Sequence, residues 1–165
     1  MFVHLTSESR LARIRRGGLV RVRRSYGSFP GGVFAVPVTS DFVASHQWLR
    51  ELRRWNSGSL AGVYFRIPDR EPVWVGHYGQ PHCWMSAAEA VAVFLREADT
   101  RGWEVIIPRK IKAREIHAMR RLPQTIGWRY SPNAKGTPPY CTCRYCVGGR
   151  YGAKRLRERF APPDP

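Results

Sequence analysis

Acidic side chains are scarce in this chain: 12 aspartates and glutamates stand against 28 lysines and arginines, for a formal charge of +16 and a pI near 10.8. Solubility requires far less. A surplus of this size predicts attraction to a polyanion, nucleic acid first and an anionic membrane second. Long apolar runs are missing too. None approaches the roughly 20 residues that cross a bilayer. The opening Phe2-Val3-His4-Leu5-Thr6 leads into no long apolar core, so it does not read as a signal peptide. The expectation is a cytoplasmic protein with no membrane partner. There is no internal repeat and no low-complexity segment. Cysteines number only 4, and in a cytosolic setting they argue for a metal or for nothing rather than for disulfides.

What is present can build a core. With 43% hydrophobic and 12% aromatic residues in 165, the chain reads as one folded domain with an appendage. Residues 2–6 form a strand with His4 and Thr6 on one face and Val3 and Leu5 on the other. Ser7 caps a helix carrying Leu11 and Ile14, stopped by Gly17-Gly18. A basic stretch from Arg21 to Arg24 leads into a turn-rich loop, Ser25 to Gly32. A strand covers 33–38, and Thr39 or Ser40 caps a longer helix with Asp41 in its first turn. Strands are expected at 62–67 and 73–75, then a polar aromatic loop from Gly76 to Cys83. Ser86-Ala87-Ala88-Glu89 is a capping box opening a helix to about Asp99. A strand follows at 103–107, then a connection from Ile111 through Met119 with one helical turn or two. The reading is α+β: a core over 1–130 and a basic, cysteine-bearing extension over 131–165, with a final helix near 150–160.

The run Trp103-Glu104-Val105-Ile106-Ile107-Pro108 is the most strand-like in the chain, and Glu104 breaks it. A carboxylate among apolar β-branched residues needs a partner or a task. Either the strand has a solvent face and Glu104 pairs with one of many arginines, or the carboxylate is functional.

Three stretches in order bear on that choice: His4-x-Thr6 before a helix ending in Gly-Gly-Leu19, a Val-Phe-x-Val strand before an aromatic helix, and Glu104 through Pro108. This order resembles the ADP-ribosyltransferase superfamily, in particular the branch holding DarT-type nucleic-acid toxins and the RNA 2′-phosphotransferases, and covers roughly residues 2–117. The resemblance implies a split, bent sheet with NAD as co-substrate across its cleft, and His4 and Glu104 facing that cleft from neighbouring strands; side chains on opposite faces of the sheet would count against the transferase reading. His4 would hydrogen-bond a ribose, Thr6 would support it, and Glu104 would engage the 2′-hydroxyl of the nicotinamide ribose. A fixed carboxylate suits the cationic carbon that develops as nicotinamide leaves. The aromatic expected to stack on nicotinamide has three candidates, Phe34, Phe42 and Tyr64. A phosphotransferase would need a second histidine and set arginines, for which His46, Arg13 and Arg50 are the available residues. A toxin would also imply an antitoxin or regulatory partner, to which no residue points.

The acceptor follows from charge rather than from the resemblance. Arg21, Arg23 and Arg24 belong to one basic group. Arg144, Arg150, Lys154 and Arg155 belong to another, interleaved with Tyr140, Tyr145, Tyr151 and Trp128. Cations alternating with aromatics suit phosphates and unpaired bases of RNA or DNA. A non-catalytic nucleic-acid-binding protein accounts for the same residues. Cys141-x-Cys143-x-x-Cys146 brings three thiols within one turn, enough for a structural zinc if Cys83 or His82 supplies the fourth ligand; His77 is a weaker candidate. His117 reads as a surface or capping residue.

Overall fold

The computed structural model describes residues 1–22, 31–56, 58–124 and 126–128, with Arg54 and Trp55 described by backbone alone. Arg23, Arg24, Arg144, Arg150, Lys154, Arg155, Cys141, Cys143, Cys146 and the helix expected near 150–160 lie outside the described residues.

Strand β1 (Phe2–Ser7) holds the sheet together. It pairs with β3 (Leu60–Phe65) through six residue pairs, from Phe2 with Phe65 to Ser7 with Leu60. With β2 (Val33–Pro37) it makes only two, Phe2 with Pro37 and Val3 with Val36. Beyond β3 lies β7 (Ile116–Arg121). Beyond β2 lie β6 (Trp103–Ile107), β4 (Pro72–His77) and β5 (Cys83–Ser86). The order is β5-β4-β6-β2-β1-β3-β7 with every neighbouring pair antiparallel. Two ladders thus meet at a two-pair seam. From His4 onward β1 leaves β2.

The helices are α1 (Leu11–Gly17), α2 (Phe42–Ser45), α3 (Leu49–Trp55) and α4 (Ala87–Arg96). The expected capping box is present: Ser86 Oγ accepts from Glu89 N–H at 3.3 Å, and Glu89 Oε2 accepts from Ser86 N–H at 2.9 Å. Other local expectations need correction. The single long helix after residue 40 is two short ones. Asp41, not Thr39 or Ser40, is the cap, its Oδ1 accepting from Val43 and Ala44 N–H at 2.7 and 3.2 Å. The turn between α2 and α3 points Gln47 and Trp48 at the segment before β6, and those tertiary bonds override the helical periodicity. Ser7 precedes a 3-10 turn over Glu8–Arg10 without capping it, its hydroxyl meeting Ser9 Oγ at 2.8 Å. The strand expected at 62–67 lies at Leu60–Phe65. The loop expected from Gly76 to Cys83 gives way to a hairpin, with β4 running to His77 and β5 starting at Cys83. The helical connection after Ile111 holds a single 3-10 turn, Ala113–Glu115, followed by β7. Both missed strands are sheet edges. Edge strands take charged residues and shed the apolar alternation by which strands are recognised.

One apolar cluster draws on both ladders, joining Phe2, Val63 and Phe65 to Val33, Val75, Val105 and Ile107 under Ile14, Leu19 and Ile111. The opposite cluster joins Val3, Leu5, Val36, Leu60 and Tyr64 to Leu49 and Phe94. Leu19 and Ile111 also form an isolated antiparallel bridge, Leu19 N–H to Ile111 O at 2.9 Å and the reverse at 3.0 Å. Gly18 makes that bridge possible. Its φ of +79° is costly for a side-chain-bearing residue, and a Cβ there would collide with the Ile111 carbonyl. Gly18→Ala is expected to lower stability by about 2–4 kcal/mol, read from the urea midpoint; a loss below 1 kcal/mol would show that the bridge moves freely.

Candidate active site

Glu104 stands second in β6, opposite Gly76 of β4. Side chains alternate along a strand, so Glu104 shares a face with Ile106 and, through the ladder pairs, with Phe34 and Trp74. Tyr64 reaches the same face across the seam, since it pairs with Val3 and Val3 with Val36. The pleat assigns His4 to the other face, with Phe2 and Thr6. The expectation that His4 and Glu104 look into one cleft as sheet neighbours therefore needs correction: β2 lies between their strands, and their side chains leave opposite faces. The split gives His4 a different connection. Where β1 has left β2, the His4 imidazole crosses the gap and its Nδ1 lies 2.7 Å from the carbonyl oxygen of Phe34. A carbonyl only accepts, so Nδ1 carries the proton and Nε2 keeps its lone pair.

Glu104 has a close partner that the sequence offered only as a zinc donor. His82 Nε2 lies 3.3 Å from Glu104 Oε1, with side-chain exposures of 1% and 13%. The other ring nitrogen sits 2.9 Å from Gln80 O and donates to it, while Nε2 stands within ion-pair distance of the carboxylate. Gly76 makes the approach possible, because a Cβ at that position would lie 2.9 Å from His82 Cγ.

The segment entering β6 is clamped from the α2–α3 turn. The buried Gln47 side chain donates to Thr100 O at 2.7 Å and accepts from Gly102 N–H at 2.5 Å. Trp48 Nε1 donates to Trp103 O at 2.9 Å. These bonds fix the backbone immediately before Glu104. Within the aromatic helical stripe of the sequence, nothing marked Gln47 for that task.

The structure separates the three aromatic candidates. Tyr64 is buried, its hydroxyl 2.7 Å from His46 Nε2, and burial pushes that phenol above its ordinary value. Phe42 stacks on His46 with centroids 4.0 Å apart. His46 in turn gives its Nδ1 proton to Phe42 O at 2.8 Å, so it is committed to packing. Phe34 is half-buried, on Glu104's face and on the strand beside it. Thr6 is buried with His4's face. Arg21 is exposed and reaches Pro108 O, at the end of Glu104's strand, at 3.5 Å. Trp128, expected among base-stacking residues, packs edge-on against Trp48 at 5.2 Å. Cys83 is an exposed free thiol. Among the described residues no three His, Cys, Asp or Glu side chains gather as a metal site, and no helix is long and apolar enough to cross a membrane.

Compared with protein-family models, curated proteins and solved structures, the chain matches none.

Gln47→Ala would leave the Thr100 carbonyl and Gly102 N–H without their partner, and is expected to cost about 2–3 kcal/mol in urea unfolding. Burial pushes the His4 and His46 imidazoles below their ordinary 6.5, against smaller opposing effects from their bonds to Phe34 and Phe42. The unfolded chain takes up protons there before the native one does. Stability is therefore full above pH 6.5 and declines as the pH falls from there toward the lowered native values. Urea midpoints at pH 7.5 and 5.5 should differ in wild type and differ less in His46→Gln.

Proposed function

We propose that the protein is an NAD-dependent ADP-ribosyltransferase acting on nucleic acid. One observation carries the reading: at the split between β1 and β2, His4 holds the Phe34 carbonyl while the Phe34 ring and the Glu104 carboxylate share a face on adjacent strands. His4 leaves the opposite face, so it bears on the site through the Phe34 carbonyl that it holds rather than by touching the ribose. Phe34 offers a half-exposed ring for nicotinamide. Glu104, mostly withdrawn from water, is suited to a 2′-hydroxyl. Bound NAD would supply an ADP-ribosyl group whose ribose carbon turns cationic as neutral nicotinamide departs. Glu104 stabilises that charge more strongly for being partly buried. It can also accept the proton released when an acceptor oxygen or nitrogen bonds to the ribose carbon, and His82 holds the carboxylate in place. The charge of +16 supports a nucleic-acid acceptor.

The opposed pleat of His4 and Glu104, together with the His82 contact, favours a second reading: a non-catalytic nucleic-acid-binding protein in which Glu104 is simply a paired carboxylate. In both readings Cys141, Cys143, Cys146 and Cys83 would hold a structural zinc, and Cys83→Ser should then lower the zinc content of purified protein.

Labelled NAD offered with RNA, single-stranded DNA, duplex DNA or protein separates the two. Glu104→Gln keeps the shape, and its amide N–H can donate to His82 Nε2, so the fold should survive. The variant is expected to lose at least 100-fold in transfer with its urea midpoint and nucleic-acid affinity nearly unchanged. Absence of transfer by wild type to every acceptor, with salt-sensitive nucleic-acid binding retained, would leave the binding protein.

A further inference from the structure

A pocket of about 740 Å³ opens where the chain leaves β3 and enters β7, lined in part by Arg66, Arg109, Lys112, Arg114, Glu115 and His117. The residues divide into a frame and a charged rim. Arg109 is the frame. Its guanidinium holds Glu71 at 2.6 and 3.2 Å and Glu115 at 2.7 and 2.9 Å, and those bonds keep the Glu115 carboxyl below its ordinary range. Arg66 N–H donates to Glu115 O at 3.0 Å, which joins the two walls. Glu115, the one carboxylate of the lining, is thereby already engaged. Arg66, Lys112 and Arg114 are exposed, and among the described residues none lies within ion-pair distance of a carboxylate. Ile67, Pro68 and Ile116 add apolar surface, and the exposed His117 ring stands beside it on the edge strand.

Exposed cations outside ion-pair distance of any described carboxylate, on a braced frame next to an apolar surface and a flat ring, suit a ligand of alternating phosphates and bases. We propose that this pocket is where a single-stranded segment of the nucleic-acid partner docks, with Arg66, Lys112 and Arg114 on its phosphates and His117 against a base. The inference rests on nucleic acid being the partner and gives that partner a place. The pocket lies past the C-terminal end of β6, roughly 15 Å along the strand from Glu104. Docking is thus separate from the reacting atoms, and the pocket would serve the binding protein equally.

The test compares two double variants of the full chain that lose the same charge: Arg66→Ala/Arg114→Ala in the pocket and Arg13→Ala/Arg16→Ala on α1. Binding of a fluorescent single-stranded oligonucleotide is measured across a salt series, with urea midpoints to establish folding. The pocket pair should weaken binding about tenfold near 0.1 M salt and reduce the slope of log K against log salt by about 1.4, the share of two phosphate contacts. The α1 pair should change both far less. Equal losses from the two pairs would mean diffuse attraction and would overturn the pocket, as would a pocket pair that binds like wild type; neither result touches nucleic acid as partner. Wild type that ignores oligonucleotides and binds anionic vesicles instead would overturn both the pocket and the nucleic-acid reading. His117→Ala, which removes a ring and leaves every arginine in place, should weaken binding with a smaller change of slope than the pocket pair.

Discussion

The two residue pairs joining β1 to β2 are the constraint on which the rest of this structure depends. A ladder continued along β1 would have tied up the facing backbone of both strands. By stopping at Val3, the pairing leaves a gap that the His4 imidazole enters to take the Phe34 carbonyl. One hydrogen bond does there what a ladder does elsewhere, and its loss would leave a half-buried carbonyl without a partner. The cluster beneath, drawing apolar side chains from both ladders, keeps the halves in register although so little backbone links them.

On the far side of β2 the chain accepts a mostly buried carboxylate and surrounds it with specific support. Glu104 is paired with Gly76 of β4, faced by His82 across that glycine, and preceded by a segment that Gln47 and Trp48 clamp. Burying a carboxylate is unfavourable, and a pair with an imidazole offsets part of the penalty. A position so firmly held leaves the carboxylate little room to reorganise. The basic side chains exposed among the described residues have a different character, because a solvated charge acts at long range rather than at one atom.

Much of the core was legible in the chain itself. The alternation at 2–6, the β-branched run at 103–107 and the Ser86–Glu89 box are local patterns, and local patterns are what propensity and period report. Where the sequence misled, a distant contact had intervened. The stripe from Phe42 to Trp55 has helical spacing, yet it breaks at His46 so that Gln47 and Trp48 can bond a segment about fifty residues away. The strands β5 and β7 escaped notice because edge positions accept Trp84, His117, Arg120 and Arg121, which erase the apolar period.

By itself the sequence determined the α+β class, the basic surface and the oddity of a carboxylate in an apolar strand, since each depends on composition or on neighbours along the chain. Only the tertiary structure decided what that carboxylate meets. Strand order put β2 between His4 and Glu104. Register gave Glu104 the company of Phe34 and assigned His4 to the opposite face. The backbone space left by Gly76 admitted His82. Pairings of this kind join residues tens of positions apart, and nothing in the local preference of either partner encodes them.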